Sequence, residues 1–334
     1  MNPLVSILIP AHNAAPWIAE SIRSAVAQSW PRKEIIIVDD GSKDNTLAVA
    51  LQYASKELKV ISQENQGAAA ARNNAFSRAQ GDYIQWLDAD DLLAPDKIAR
   101  QMEVIQAQGK PRTLYSSEWG TFTFRPSRAR FKSTAMWRDL NPVEWLILKL
   151  GENLWMQTAT WLVSRELTEA AGPWNTHLLS DDDGEYFTRI VTHSDGVGFV
   201  PGARVYYRRA APSLSYIGMS QAKLEAQFLT LQLYISHARG VEDSPRVREA
   251  CISMLNIWRM SFFPEQMELF KNLEQLAKEL GGCLEAPSLP WKYAWIQKLL
   301  GWNAAKKAQL YYNKYKLCLR GFVINLLMAR QGAC

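Results

Sequence analysis

The sequence predicts an α/β protein built on a mostly parallel sheet with helices on both faces, followed by an all-helical C-terminal region. Three observations lead there. Short apolar runs rich in Val and Ile alternate with segments of helical periodicity through roughly the first hundred residues. Each run stops at a polar or acidic cluster, and beyond residue 216 only helical spacing remains. Such alternation favours parallel strands, because parallel neighbours need a crossover between them. In these sheets ligands bind at the carboxyl ends of the strands.

Leu4-Val5-Ser6-Ile7-Leu8-Ile9-Pro10 is a β-branched run closed by proline and reads as a buried strand, with Pro10-Ala11-His12-Asn13 turning after it. Trp17, Ile18, Ser21, Ile22, Ala25 and Val26 then recur at helical spacing. Glu34-Ile35-Ile36-Ile37-Val38 is a second buried strand ending in Asp39-Asp40-Gly41-Ser42. A helix is expected from Asn45 to Ala54, a short strand at Leu58-Lys59-Val60-Ile61, and a third helix from Gly67 through Ala79. Gly81-Asp82 turns into the strand Tyr83-Ile84-Gln85-Trp86-Leu87. Trp155 to Arg165 reads as a strand entering a helix, and Leu178 to Arg189 as an acidic start to a helix with Phe187, Ile190 and Val191 facing inward.

The strand at Tyr83 runs into Asp88-Ala89-Asp90-Asp91. These carboxylates repel one another unless a cation sits among them. Oxygen-only ligands suit Mg²⁺ or Mn²⁺, which bind through one or two carboxylates plus substrate phosphates. Taken alone, the cluster also reads as a solvated acidic turn. His12, Asn13, Asp39, Asp40, Asp88 and Asp90 all fall at strand ends and so predict one polar rim.

Four segments in one order carry a resemblance: residues 5–13 (VSILIPAHN), 37–46 (IVDDGSKDNT), 64–73 (ENQGAAAARN) and 87–91 (LDADD). They closely resemble the family-2 glycosyltransferases, inverting enzymes with the nucleotide-sugar-binding GT-A fold. The resemblance continues more weakly to about residue 216. It implies a GT-A domain over residues 1–216, with 1–110 as the nucleotide-sugar half and 111–216 as the acceptor and catalytic-base half. Residues 217–334 form a helical extension.

The resemblance also implies roles. Pro10, Ala11, His12 and Asn13 line the nucleobase and ribose pocket, and Asp40 accepts from the imide N–H of uracil or thymine. Gly67 lets backbone approach the nucleotide, and Arg72 faces base or phosphates as a forked donor. Asp88 and Ala89 contact the nucleotide, and Asp90 holds Mn²⁺ or Mg²⁺ on the diphosphate. Structural alternatives stand beside these: a helix-start turn at Gly67, an exposed helix charge at Arg72, and support of the Gly41-Ser42 turn by Asp39. The family's base sits in an acid-Asp pair followed six residues later by arginine. Arg189 therefore selects Asp183, with Asp182 as second choice. The alternative for Asp181 to Asp183 is capping of a helix N-terminus.

The expected reaction moves a sugar from a UDP- or TDP-sugar to an acceptor hydroxyl, with a glycan or lipid-linked acceptor in cell-surface polysaccharide synthesis. A catalytically degenerate nucleotide-sugar-binding scaffold is the alternative. One departure bears on it: many members carry a histidine shortly after a Tyr-Arg pair, where this chain has Arg209-Ala210-Ala211 after Tyr207-Arg208. Either arginine could neutralise phosphate instead.

Other classes are excluded by what is missing. No G-x-G-x-x-G follows the first strand, and no G-x-x-x-x-G-K-[ST] occurs. A phosphatase built on Asp88 and Asp90 leaves Asp40, Gly67 and Arg72 unexplained. The four cysteines lack metal-ligand spacing and read as reduced thiols of a cytoplasmic protein. Neither a signal peptide nor a spanning apolar stretch is expected.

Beyond Glu285 there is no acidic residue, while Lys292, Lys298, Lys306, Lys307, Lys314, Lys316, Arg320 and Arg330 stand among Trp291, Trp295, Trp302, Tyr311, Tyr312, Tyr315 and Phe322. Such a tail suits the anionic surface at the inner face of a cell membrane, or else an ordinary helical cap. With a net charge of only +5 and no recognised motif, nucleic acid is not an expected partner.

Overall fold

A computed structural model describes residues 2–209 and 220–331. One nine-stranded sheet is built from β1 (Val5–Ala11), β2 (Lys33–Asp40), β3 (Leu58–Gln63), β4 (Tyr83–Trp86), β5 (Leu92–Leu93), β6 (Thr113–Phe122), β7 (Arg130–Phe131), β8 (Leu162–Ser164) and β9 (Gly196–Arg208). Their order is β3-β2-β1-β4-β8-β6-β9-β5, with β7 paired to β6. β3, β2, β1 and β4 are parallel, as are β6 and β9; β8 runs antiparallel to both β4 and β6, and β5 antiparallel to β9. The helices are α1 (Ile18–Val26), α2 (Thr46–Leu51), α3 (Ala68–Arg78), α4 (Lys97–Gln108), α5 (Pro142–Gly151), α6 (Arg165–Ala171), α7 (Asp182–His193), α8 (Gln221–Val241), α9 (Pro245–Phe262), α10 (Met267–Glu279) and α11 (Ala294–Gln331).

Strand alternation sends successive side chains to opposite faces, and both faces are covered. Ile7, Ile9, Ile35 and Ile37 cluster with Ile18 and Ile22 of α1 and with Ile98 and Met102 of α4. Leu8, Ile36, Val38, Ile84 and Trp86 cluster on the other face with Ala71 and Ala75 of α3 and with Tyr186, Phe187 and Ile190 of α7. Each Ile or Leu so buried contributes roughly 1.5–3 kcal/mol. This two-sided packing fixes the strand ends and thereby the polar rim.

Two elements are shorter than the residue pattern suggests. α2 stops at Leu51, because the amides of Tyr53 and Ala54 tighten onto carbonyls three residues back. Between Trp155 and Arg165 only Leu162–Ser164 is strand; Thr158–Thr160 coils into a 3₁₀ turn whose Ala159 amide is capped by the Gln157 side chain.

The helical region packs into the same core as the sheet. Leu231 and Ile235 of α8 and Met254 and Leu255 of α9 cluster with Leu146 and Leu150 of α5 and with Tyr186 and Phe187 of α7. α11 kinks at Gly301 (φ 82°), a conformation glycine adopts without a Cβ penalty. Around the kink Trp291, Trp295, Leu299 and Leu300 are exposed, whereas Tyr293, Ala305 and Lys306 are buried. Lys306 pairs with Glu265 at 2.8 Å, and Trp302 meets Phe263 edge-on. No helix among the described residues is long and apolar enough to cross a membrane. The expected boundary at residue 216 lies outside the described residues, as do Ala210 and Ala211.

Candidate active site

The first part of the rim forms where β1, β2 and the loop before α3 meet. Pro10 and Ala11 are buried at the end of β1, and His12 and Asn13 emerge exposed after it. Asn13 takes a left-handed conformation (φ 49°), tolerated by a short polar side chain, and its Oδ1 accepts from the Lys43 amide at 2.8 Å. His12 Nδ1 lies 2.8 Å from the Asp40 carbonyl oxygen. Gly41 has φ 65°, and a Cβ there would stand 2.7 Å from the Asn65 nitrogen, so the turn after β2 requires glycine. Asp39 supports that turn, its Oδ2 accepting from the Ser42 amide at 3.2 Å.

Asp40 is less open than the sequence implies. Its carboxylate, in a residue 2% exposed, accepts from Gln63 Nε2 at 2.7 Å, the Gln66 amide at 2.9 Å and the Gly67 amide at 2.8 Å. A carboxylate has about four lone-pair sites. One remains, on Oδ2, for a base. Gly67 has φ 91° and open space where a Cβ would stand, so its glycine is required by the backbone turn.

The second part is the acidic turn after β4. Its three carboxylates have different fates. Asp91 is fully buried; its Oδ1 accepts from the Arg208 amide at 2.8 Å and its Oδ2 from the Gln157 side chain. Burial, with Asp90 and Asp88 beside it, pushes its pKa well above the usual carboxylate range. Asp91 therefore ties β9 and the turn at Thr158 to the acidic turn. Ala89 is buried and its carbonyl accepts from Ser21 at 2.8 Å, which anchors the turn on α1. Asp90 is pushed up to about 6, first by burial and then by Asp88. Asp88 thus stands close enough to oppose ionisation of Asp90.

Arg72 corrects both readings of it. It is neither an exposed helix charge nor pointed freely at a ligand, being 6% exposed on α3. Its Nη2 reaches Asp88 Oδ1 at 2.9 Å and its Nη1 reaches Asp182 Oδ2 at 2.7 Å, while the guanidinium lies 4.3 Å from the centre of the Trp174 ring. Burial works against its charge, but Asp182, Asp88 and Asp183 together hold it firmly protonated. A planar fork can span two carboxylates in this way. The acidic turn and the start of α7 are thereby joined.

The third part is that start of α7. Asp181 takes a left-handed conformation (φ 55°) and does not cap the helix; its Oδ2 accepts from the Tyr234 hydroxyl of α8 at 2.7 Å. Burial pushes Asp181 up to about 6, opposed by Lys149 and reinforced by Asp183. Asp182 is raised by burial against the pull of Arg72. Asp183 is bonded by its Oδ2 to the Thr158 hydroxyl at 3.1 Å and has no cationic partner among the described residues. Of the three, it is the one bonded to neither Tyr234 nor Arg72. Arg189, which set the register, donates to Glu185 at 2.9 Å and to the carbonyl of Pro173, and Glu185 also lies 3.0 Å from His237 Nε2 of α8.

Glu185 could have been found from its spacing, four residues before Arg189. Thr158, Gln157, Tyr234 and His237 carry no local signal; only the fold brings them here. Arg208 is not a free phosphate ligand either. It is 3% exposed, donates to Glu20 at 2.7 Å and to the Asp90 carbonyl at 2.8 Å, and lies between the rings of Trp17 and Phe122. Arg209 is exposed.

Among the described residues no three His, Cys, Asp or Glu side chains converge as a complete cation cage. The donor set nevertheless fits Mn²⁺ or Mg²⁺, which keep water ligands and take one or two carboxylates plus phosphate oxygens. The raised Asp90 is the group such an ion would relieve.

Residues 6–149 match the family described as "Glycosyl transferase family 2". The chain is 44% identical over 107 residues to "Putative teichuronic acid biosynthesis glycosyltransferase TuaG" of Bacillus subtilis, covering 31% of this chain and 42% of that protein. It is 43% identical over 104 residues to "Uncharacterized glycosyltransferase RT0329" of Rickettsia typhi, covering 31% of this chain and 32% of that protein. The chain thus spans well under half the length of these curated relatives. Its fold is similar to that of S. aureus TarS residues 1–349 in complex with UDP-GlcNAc, with TM-score 0.67 and 18% identity over 83% of this chain and 81% of that one.

Proposed function

We propose, from the premise that residues 6–149 belong to glycosyl transferase family 2 and sit on a GT-A fold, that this chain transfers a sugar from a UDP- or TDP-sugar to an acceptor hydroxyl with inversion. The observation that carries the reading is the Arg72 bridge, 2.9 Å to Asp88 and 2.7 Å to Asp182. It holds a cation-attracting turn and a proton-accepting helix start on one rim. His12, Asn13 and the remaining lone pair of Asp40 face the nucleobase, and the Gly67 turn lets the main chain approach the nucleotide. Asp183 removes the proton from the acceptor hydroxyl as that oxygen attacks the anomeric carbon opposite the nucleotide. Thr158 orients Asp183 by the hydroxyl it donates. Asp90 would hold Mn²⁺ or Mg²⁺, which would supply neutralisation of the departing diphosphate. One displacement needs no covalent enzyme intermediate.

Calorimetric titration with UDP, TDP and GDP, each with Mn²⁺ and with EDTA, tests the donor site. Metal-dependent binding of UDP or TDP is the expected result. Absence of binding by all three overturns the reading, and binding without turnover on any acceptor converts it to a scaffold.

The acceptor is proposed to be a glycan or lipid-linked glycan of cell-surface polysaccharide assembly, the setting named for TuaG. A cytoplasmic protein resting on the inner face of the membrane suits that substrate. Trp291, Trp295, Leu299 and Leu300 are 87%, 60%, 73% and 69% exposed, and no acidic residue follows Glu285. Aromatic and aliphatic side chains beside lysines bind anionic bilayers through both apolar burial and charge. Because Tyr293, Ala305 and Lys306 are buried, deleting the tail would also expose the helices beneath. Replacing all four exposed side chains by serine is the cleaner test. It is expected to weaken co-sedimentation with phosphatidylglycerol vesicles at least about 10-fold, without lowering the thermal midpoint. Unchanged partitioning would refute a membrane role.

A further inference from the structure

On the β6–β9 side of the acidic cluster stand three aromatic rings that none of the roles above uses. Trp155, 44% exposed, lies against Trp119 with centroids 4.4 Å apart and planes tilted by 39°. Tyr207 meets both edge-on, at 6.1 Å from Trp119 and 5.9 Å from Trp155. Their placement beside the chemistry follows from the chain. Trp155 comes two residues before Gln157, bonded to Asp91, and three before Thr158, bonded to Asp183. Tyr207 comes directly before Arg208, whose amide is bonded to Asp91. Burial, followed by the charges of Asp91, Asp90, Asp88 and Asp183, raises the Tyr207 hydroxyl above its ordinary range, as proximity to those acids requires.

The nucleotide rim is elsewhere. His12, Asn13 and Asp40 follow β1 and β2, whereas the aromatic patch flanks β6 and β9, beyond β4 and β8 in the sheet. The patch therefore lies across β4 and β8 from the nucleotide rim, next in the chain to Thr158, which is bonded to Asp183.

We propose that Trp155, backed by Trp119 and Tyr207, is the acceptor subsite and takes a pyranose ring stacked on the exposed indole face. The proposal rests on the glycosyltransferase reading and names the acceptor's chemical class within it. An indole face is electron-rich, and a pyranose face presents polarised C–H bonds to it. The hydroxyls of the same ring point sideways, where one can meet Asp183. A hydrocarbon chain on this patch would bury the neighbouring carboxylates without partners. An acyclic polyol phosphate has no ring face to stack, and its charge would be repelled by Asp183, which has no cationic partner among the described residues.

Saturation-transfer NMR on the full chain with UDP and diamagnetic Mg²⁺ tests this. The probes are the methyl pyranosides of glucose, galactose and N-acetylglucosamine, with glycerol 1-phosphate as the acyclic control. At least one pyranoside is expected to receive saturation on the ring protons of one face. The transfer should weaken about 5-fold in Trp155→Ala and largely persist in Trp155→Phe, with UDP affinity equal in all three proteins. Equal transfer in Trp155→Ala overturns the proposal, as does transfer to glycerol 1-phosphate matching that to the sugars. No transfer to any pyranoside from a wild-type protein that binds UDP also overturns it, while leaving the donor reading intact. Failure of wild type to bind a nucleotide removes the donor reading itself.

Discussion

Asp183→Asn is expected to lower sugar transfer by about 10²–10⁴-fold, the usual contribution of a general base, while nucleotide binding stays close to wild type. The amide keeps the shape of the carboxylate, and its oxygen can still accept from Thr158, which now lies 3.1 Å away. What it cannot do is take a proton. The Arg72 bridge to Asp88 and Asp182 is untouched, so the donor side should stay assembled. Asp182→Asn gives the contrast: it weakens one arm of that bridge, so nucleotide affinity and stability should fall along with rate. Initial rates and nucleotide calorimetry on both variants separate the two roles. Wild-type turnover by Asp183→Asn would move the base to Asp182, which would then have to act while bonded to a guanidinium.

The donor half was readable in the residues because its signals are local. Ile7, Ile9, Ile35 and Ile37 alternate with Leu8, Ile36 and Val38, and that period alone predicts a sheet covered on both faces. Gly41 and Gly67 mark turns whose positive φ the sequence can only suggest and the structure supplies. The acids after Trp86 announced a cation, yet nothing in their order says which carboxylate is turned inward. Asp91 is, because β9 and the turn at Thr158 close over it. Arg72 was legible as important but not as a bridge, since its partners stand 16 and 110 residues away. Tyr234 and His237 were invisible for the same reason. They lie on α8, which reads locally only as a helix with apolar residues at three- and four-residue spacing, and only packing on α7 sets them against Asp181 and Glu185. Long-range pairing of polar groups has no periodicity to betray it.

Arg72→Met carries the largest expected effect on stability. Removing one partner of a buried ion pair leaves uncompensated charge and typically costs about 3–5 kcal/mol. Asp88 and Asp182 retain side-chain exposures of 30% and 18%, so water recovers part of that, which places the effect at the lower end. A fall of roughly 4–6 °C in thermal midpoint at neutral pH follows. The pH dependence gives the sharper test. Asp182 is already held above its ordinary value by burial even while Arg72 pulls it down, and without Arg72 it rises further. A carboxyl whose folded pKa is raised destabilises the protein above that pKa and ceases to do so once protonated. The gap between variant and wild type should therefore be widest at about pH 8 and should narrow as the pH falls toward the ordinary carboxylate range near about 4. Arg72→Lys restores one charge but has no fork to span two carboxylates, and it loses the planar contact with Trp174 at 4.3 Å. It should recover part of the stability and little of the rate, because misplacing a catalytic group by about 1 Å costs on the order of 10²-fold. Melting curves for Arg72→Met that match wild type at every pH would mean that the acidic turn and α7 are held together by packing alone, and the bridge would lose its place as the feature that assembles the site.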